Sequence, residues 1–476
     1  MESIKVITYY MVILLCALLS ACATYQPLPL QTTVQLNHNL QQLQMDTSKH
    51  AELPGMWKNS SVNIDDGLNE VEIVQLAVLN SPHLAAVQAT RKDAQAQLIQ
   101  AGLLPDPQFN LSADFPRSND PALGTAYSFG LGFDLQSLMT RSARQSAATK
   151  QARTVYLQVL WQEWQIIQQA RMLYRRALIQ GRQLELTHAQ FLRTQTSWQV
   201  QKDALDHGNI TLDNEGLVRT SMMDAQAVWF EVRRQRSSTM HSMALLLGLS
   251  PQVEIPLSPP DQGLSALIAA PLQDKDFQLI LANLDQQRPD LLALQAGYQA
   301  QESRVRAQIL SQFPGFTIGA NSLRDTGSIW TLGPFINLNL PLLNGNRGNI
   351  ALARATRARF RAEYRDRLTS AGIEASRLVV DQQLAYDELA ALQDKLPDLN
   401  LLMQRMRTAL AAGNVDMLIF TTLQNSHFAQ HMKVMALQQA LLEQQVALET
   451  LTGTLFVLPV HAKSAGNLYL QQEYQP

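Results

Sequence analysis

Thiols, charge and long apolar runs are what this sequence lacks. Two cysteines occur in 476 residues, Cys16 and Cys22. Cys16 falls inside an N-terminal apolar stretch of the kind removed on export, so one cysteine remains, with no partner for a disulfide and no thiol catalyst expected. Charged residues make up 16% of the chain, against the roughly 25% usual in soluble domains. The net charge of −2 excludes the basic footprint of a nucleic-acid binder. There is no GxGxxG, no Walker loop and no CxxC, so no enzyme activity and no cofactor are expected. Beyond Cys22 no apolar run approaches the ~18 residues of a membrane helix.

What is there is a duplication. Ser81-Pro82-His83-Leu84 through Pro107-Gln108-Phe109 is matched by Arg288-Pro289-Asp290-Leu291 through Pro314-Gly315-Phe316, a shift of 207 residues. Ala152-Arg153 falls on Ala358-Arg359 at a shift of 206, and Gly208-Asn209-Ile210 on Gly413-Asn414-Val415 at 205. So small a drift over most of the chain marks two halves of one structure rather than two independent domains. The first half spans 64–250 and the second 276–455, with a proline-rich crossover at 251–275, a glutamine-rich extended tether at 22–63 and a polar tail at 456–476.

The N-terminus reads as a signal peptide over 1–21: Lys5, then the apolar run Val6 to Leu19, then Leu19-Ser20-Ala21-Cys22. That last stretch resembles a bacterial lipobox. The resemblance implies cleavage before Cys22, acylation of its thiol, and, with Ala23 following, sorting to the outer membrane.

Within each half the period changes twice. A helical pattern runs from Pro82, capped by Ser81, to about Leu103. Apolar and polar residues then alternate over 108–116 and again over 124–136, and in the second half over 314–323 and 328–340. Strands of this length with one apolar and one polar face fit the membrane-spanning β pattern. Helices of 67 residues are predicted next, 140–206 and 346–412, with Leu184, Phe191, Trp198 and Leu205 in heptad spacing in the first and Leu389, Leu396, Met403 and Leu410 in the second. Such spacing means coiled-coil packing, and each rod would be roughly 100 Å long. Pro397 should kink the second rod. Each rod stops at a glycine turn, Gly208-Asn209 and Gly413-Asn414, and return helices follow over 211–249 and 415–453.

Strands in a membrane must close into a barrel, and four are too few where the smallest such barrels have about eight. The chain must therefore share its sheet with other copies. Duplicated halves, two strands and a rod in each, and glycine tips together resemble the outer-membrane factor (TolC-like) family over residues 64 to 455. The run Gln100-Ala101-Gly102-Leu103-Leu104-Pro105-Asp106-Pro107 resembles its metal-cation-efflux branch. The resemblance implies a mainly α fold with membrane β: four strands per protomer in a homotrimeric 12-stranded outer-membrane barrel, continued by a long α-helical barrel in the periplasm. It implies a passive duct for small molecules or metal cations, contacting outer-membrane lipid and working with a periplasmic adaptor and an inner-membrane pump. Gly208, Asn209, Gly413 and Asn414 would be adaptor contacts. Asp203, Asp206, Asp398, Arg405, Arg407 and Asp416 would be the charges that hold the pore shut.

His427 and His431, four apart on a helix, are read as a solvated face without a third ligand, and no metal site is expected. The methionines, including Met222-Met223, are read as packing. The competing reading is a non-conducting coiled-coil lipoprotein tethering the envelope layers; aromatic, alternating hairpins such as Tyr127 to Leu135 argue against it.

Overall fold

The computed structural model describes residues 25–455 apart from 31, 35, 46–61, 118–119, 121, 261–262 and 264–266. Cys22, the signal peptide and the 456–476 tail lie outside the described residues. The chain divides into two compact units, 1–36 and 37–476. The described part of the first is exposed and has no regular element.

The second unit carries both halves. Helix α1 (Glu70–Asn80) opens the first with a capping box: the Asn69 side chain accepts from the Val71 and Glu72 amides, and Glu72 accepts from the Asn69 amide. Helix α2 (Pro82–Gly102) starts on Pro82, with Ser81 Oγ accepting from the Leu84 amide at 3.4 Å. Strands β1 (Gln108–Asp114) and β2 (Ala126–Asp134), helix α3 (Leu135–Asp206) and helix α4 (Leu212–Leu246) complete the half. After two short helices, α5 (Asp274–Ala282) and α6 (Leu284–Gln287), the second half repeats the order: α7 (Pro289–Leu310), β3 (Gly315–Arg324), β4 (Trp330–Asn339), α8 (Arg347–Ala411) and α9 (Met417–Thr452). The strands are up to a few residues shorter than the alternation suggested at most of their ends.

The two rods are unequal, 72 residues in α3 and 65 in α8, where equal lengths were expected. Helix α3 begins directly on the last residue of β2, because the Asp134 carboxylate accepts from the Gln136 amide at 2.9 Å and caps it in place. Between β4 and α8 lies a seven-residue connection, 340–346, whose Gly345 and Asn346 both take positive φ, 54° and 56°. Helix α8 continues on both sides of Pro397.

The main core lies where α1, the middle of α3 and the end of α4 meet. Helix α1 is buried nearly all round, its Ile73, Leu76 and Ala77 packing with Ile167, Ala170, Tyr174 and Met243. Part of the extended N-terminal segment joins this core: Leu40 and Leu43 insert into it, and Asn37 bridges to Leu249. A second seam follows the expected heptads, with Leu389, Leu392 and Leu396 of α8 against Val434, Leu437 and Leu441 of α9.

Candidate functional site

The four strands form one antiparallel sheet in the order β1-β2-β3-β4, leaving β1 and β4 as open edges among the described residues. The register sorts the side chains. Phe109 faces Leu131, Leu111 faces Phe129, Phe133 faces Ile318, and Ile318 faces Ile336. Because side chains alternate along a strand, these residues share one face. That face is bare in the protomer: Phe109 is 65% exposed, Leu332 81% and Ile336 65%. Apolar surface this continuous marks a face that meets another protein or a membrane.

The opposite face carries Asn110, Ser112, Ser128, Thr317, Asn321, Asn337 and Asn339, with Phe335 among them. Phe335 sits over glycine. A Cβ on Gly132 would stand 3.2 Å from its ring, and one on Gly319 would collide with both the ring and the Leu131 carbonyl. Two glycines thus make the recess that holds the ring flat on the polar face. Among the described residues no helix is long and apolar enough to cross a membrane, so any crossing by this part of the chain falls to the strands.

At the far end of the rods both tips have the same construction. Gly208 and Gly413 adopt φ of 72° and 73°. The Asn209 amide donates to Ala204 O at 2.8 Å and the Asn414 amide to Ala409 O at 2.9 Å, the six-to-one bond that closes a helix end. The two tips lie at one end of the molecule, since Ser221 of α4 and Asn425 of α9 are hydrogen-bonded at 3.1 Å about ten residues beyond their turns. Trp198 Nε1 donates to Glu215 at 2.7 Å and ties α3 to α4 behind the first tip.

The six tip charges divide by role. Asp416 is a helix cap, accepting from the Leu418 amide at 2.7 Å. Asp203, Asp206, Asp398, Arg405 and Arg407 are exposed, and no salt bridge among the described residues joins any of the six. Arg407 faces another cation: burial and the Arg407 charge hold Arg193 below the usual guanidinium range.

The histidine pair departs from the sequence reading. His427 and His431 are half-buried rather than solvated, and Asn400 of α8 stands against both, its Oδ1 at 2.7 Å from His427 Nε2 and 3.2 Å from His431 Nε2. The two Nε2 atoms are themselves 3.2 Å apart. Burial first, then the His431, Arg193 and Arg407 charges, hold His427 below its ordinary value; burial and Arg193 do the same for His431.

A buried ion network in the main core was not foreseen. Arg171 and Arg175 of α3 both contact Glu70, at 2.8 and 3.0 Å, and Arg171 also pairs with the fully buried Glu449 of α9. Burial opposes ionisation of Glu70, but Arg175 and Arg171 outweigh it and lower its pKa. The signal was available: Arg171 and Arg175 stand on the helix face that also bears Ile167 and Tyr174, where an unpaired charge has no place. A groove of about 750 Å³ between α2, α3, α7 and α8 is lined by Gln97, Arg144, Gln301 and Arg304 together with Ala147, Ala307 and Leu352.

Two strands and a rod in each half, a sheet apolar on one side and polar on the other, and paired helical tips make up the described architecture. Residues 280–454 match the family model described as outer membrane efflux protein. No curated protein matches the chain. Among solved structures the fold is shared with the transmembrane channel CusC (TM-score 0.65, 18% identity, 84% of this chain and 96% of that one). It is shared equally with VceC from Vibrio cholerae (0.65, 17%, 82% and 97%) and with the open-state outer-membrane channel MtrE of Neisseria gonorrhoeae (0.65, 15%, 90% and 98%). The family match covers residues 280–454, and the likeness of the whole chain to these solved channels is one of fold.

Proposed function

We propose that three copies of this chain form a passive export duct through the outer membrane and periplasm, the outermost part of a three-part efflux system for small molecules or metal cations. One observation carries the reading: a four-stranded sheet with a bare apolar face, a polar face and two open edges. In lipid each unpaired backbone group costs several kcal/mol, so the edges must find partners. Three copies of four strands give a ring of twelve, wide enough for an aqueous lumen lined by the asparagine and serine face. The unequal rods continue this wall into the periplasm. No step of chemistry is required, only a wall and an end that opens.

The tips supply that end. Asp203, Asp206, Asp398, Arg405, Arg407 and Asp416 cluster where symmetry would bring like charges from three copies together, and Gly208-Asn209 and Gly413-Asn414 present exposed turns to a periplasmic adaptor that links to an inner-membrane pump. Acylation at Cys22 anchors the N-terminus in the outer membrane.

Purified protein added to a planar lipid bilayer should give discrete conductance steps, and chemical cross-linking in detergent should stop at the trimer. A monomer that carries no current would sink the duct and leave only a tether. The double substitution Arg405→Ala, Arg407→Ala should change single-channel conductance. Cys22→Ser should abolish incorporation of labelled palmitate without changing the cross-linked species.

A further inference from the structure

His427, His431 and Asn400 present three donor atoms to one point. Donors bound ~2.1 Å from a single ion, as imidazole is to zinc, lie ~2.9–3.4 Å from one another. Here His431 Nε2 stands 3.2 Å from both of the others, inside that range, and the Asn400–His427 separation of 2.7 Å is a hydrogen-bond length just short of it. The imidazoles are one helical turn apart on α9, with ring centroids 4.5 Å apart and planes inclined at 58°, so the rings do not stack, and their Nε2 atoms meet beside the Asn400 oxygen. Asn400 reaches them from the facing rod α8. We propose that His427 and His431, completed by the Asn400 amide oxygen and water, bind a borderline divalent transition metal such as Zn²⁺, Ni²⁺ or Cu²⁺, and that the ion clamps α8 to α9 a few turns from the tip.

The surroundings select the kind of ion. The pair is faced by Arg193 from α3 and Arg407 from α8, while on α9 itself Lys433 is engaged by Glu388 of α8 at 2.6 Å. Among the described residues no carboxylate or thiol joins the histidines. An ion held by charge, Mg²⁺ or Ca²⁺, finds no oxygen anion here and two guanidiniums against it. An ion held through imidazole bonding tolerates that field at some cost in affinity. The same guanidiniums, with burial, favour neutral rings, which is the ligating form.

This inference does not rest on the duct: binding is read on the purified full-length protein whether or not it conducts. Titration with ZnCl₂ at pH 7.5, followed calorimetrically, should show one saturable site per chain. His431→Ala and His427→Ala should each weaken it by about tenfold or more, Asn400→Ala by less, and His241→Ala on α4 not at all. Binding should fade as pH falls, because protons compete for the same lone pairs. Electron paramagnetic resonance of the Cu²⁺-loaded wild type should show nitrogen coupling from two imidazoles, a readout that survives if a variant misfolds. Absence of saturable Zn²⁺ uptake, equal binding by the His427→Ala, His431→Ala double variant, equal competition by Mg²⁺, or a Cu²⁺ spectrum without two nitrogens would each overturn the proposal.

Discussion

The two rods hold corresponding places in the two halves but occupy different environments. Twenty-six of the 72 residues of α3 are buried, against seven of the 65 in α8. Helix α3 is packed by α1, α2, α4, α7 and α9, whereas α8 rests mainly on α7 and α9. Equivalent positions have diverged accordingly. At the shift of 206 set by Ala152 and Ala358, Arg171 and Arg175 correspond to Arg377 and Asp381. The first pair is sealed in the core around Glu70; the second is a solvent-facing i,i+4 ion pair at 3.3 Å. Duplication fixed the order of elements, and the number of neighbours decided which copy became the core. Helix α8 still carries apolar residues on its open side: Ile373 is 65% exposed, Val380 59% and Leu384 64%. In the proposed trimer this stripe is where the next protomer packs.

That contrast can be broken in graded ways. Val380→Asp together with Leu384→Asp should convert the trimer to protomers by light scattering while leaving helix content unchanged; a surviving trimer would show that the stripe faces something other than a second copy. Glu70→Ala takes from the buried Arg175 its carboxylate partner, while Arg171 keeps Glu449, and should cost about 3–5 kcal/mol, seen as a large drop in melting temperature. Asp276→Ala, on the exposed first turn of α5, should stay within about 0.5 kcal/mol. Gly319→Val drives a side chain into Phe335 and should cost about 1–3 kcal/mol, read as lost heat resistance of the assembled barrel on gels.

Acid should act on the first half through the same carboxylate. The folded-state pKa of Glu70 lies below 4.5. The unfolded chain therefore takes up the proton first, so stability is held above that value and is lost as pH falls through the folded pKa. Melting curves taken from pH 7 to pH 3 should show this loss, and Glu70→Gln should flatten it. A small effect is expected for Arg377→Ala, about 0–1 kcal/mol, because its ion pair is solvated.

Much of this was legible in the sequence, for identifiable reasons. Strand alternation at 108–116 and 328–340 and heptads such as Leu389 and Leu396 are local patterns, and local patterns survive into the structure. The glycines at 208 and 413 marked the tips because positive φ is cheap only there. What could not be read depends on contacts far apart in the chain. Glu70, Arg171 and Glu449 are an ion network only because three distant helices meet. His427 and His431 looked solvated because Asn400 comes from the neighbouring rod. Phe335 fits on a polar face only because Gly132 and Gly319, from two other strands, leave room beneath it. The start of α3 was set five residues late, since Asp134 reads as a strand residue until its side chain is seen capping the helix.

The unequal junctions between sheet and rods carry a mechanical consequence. In the first half the strand passes into the helix without a spare residue, like a shaft keyed to its wheel. In the second, residues 340–346 with their two left-handed positions act as a slack coupling. Torque applied at the tips would pass to the sheet more directly through α3, which has no intervening residue, than through α8, which is seven residues removed from its strand.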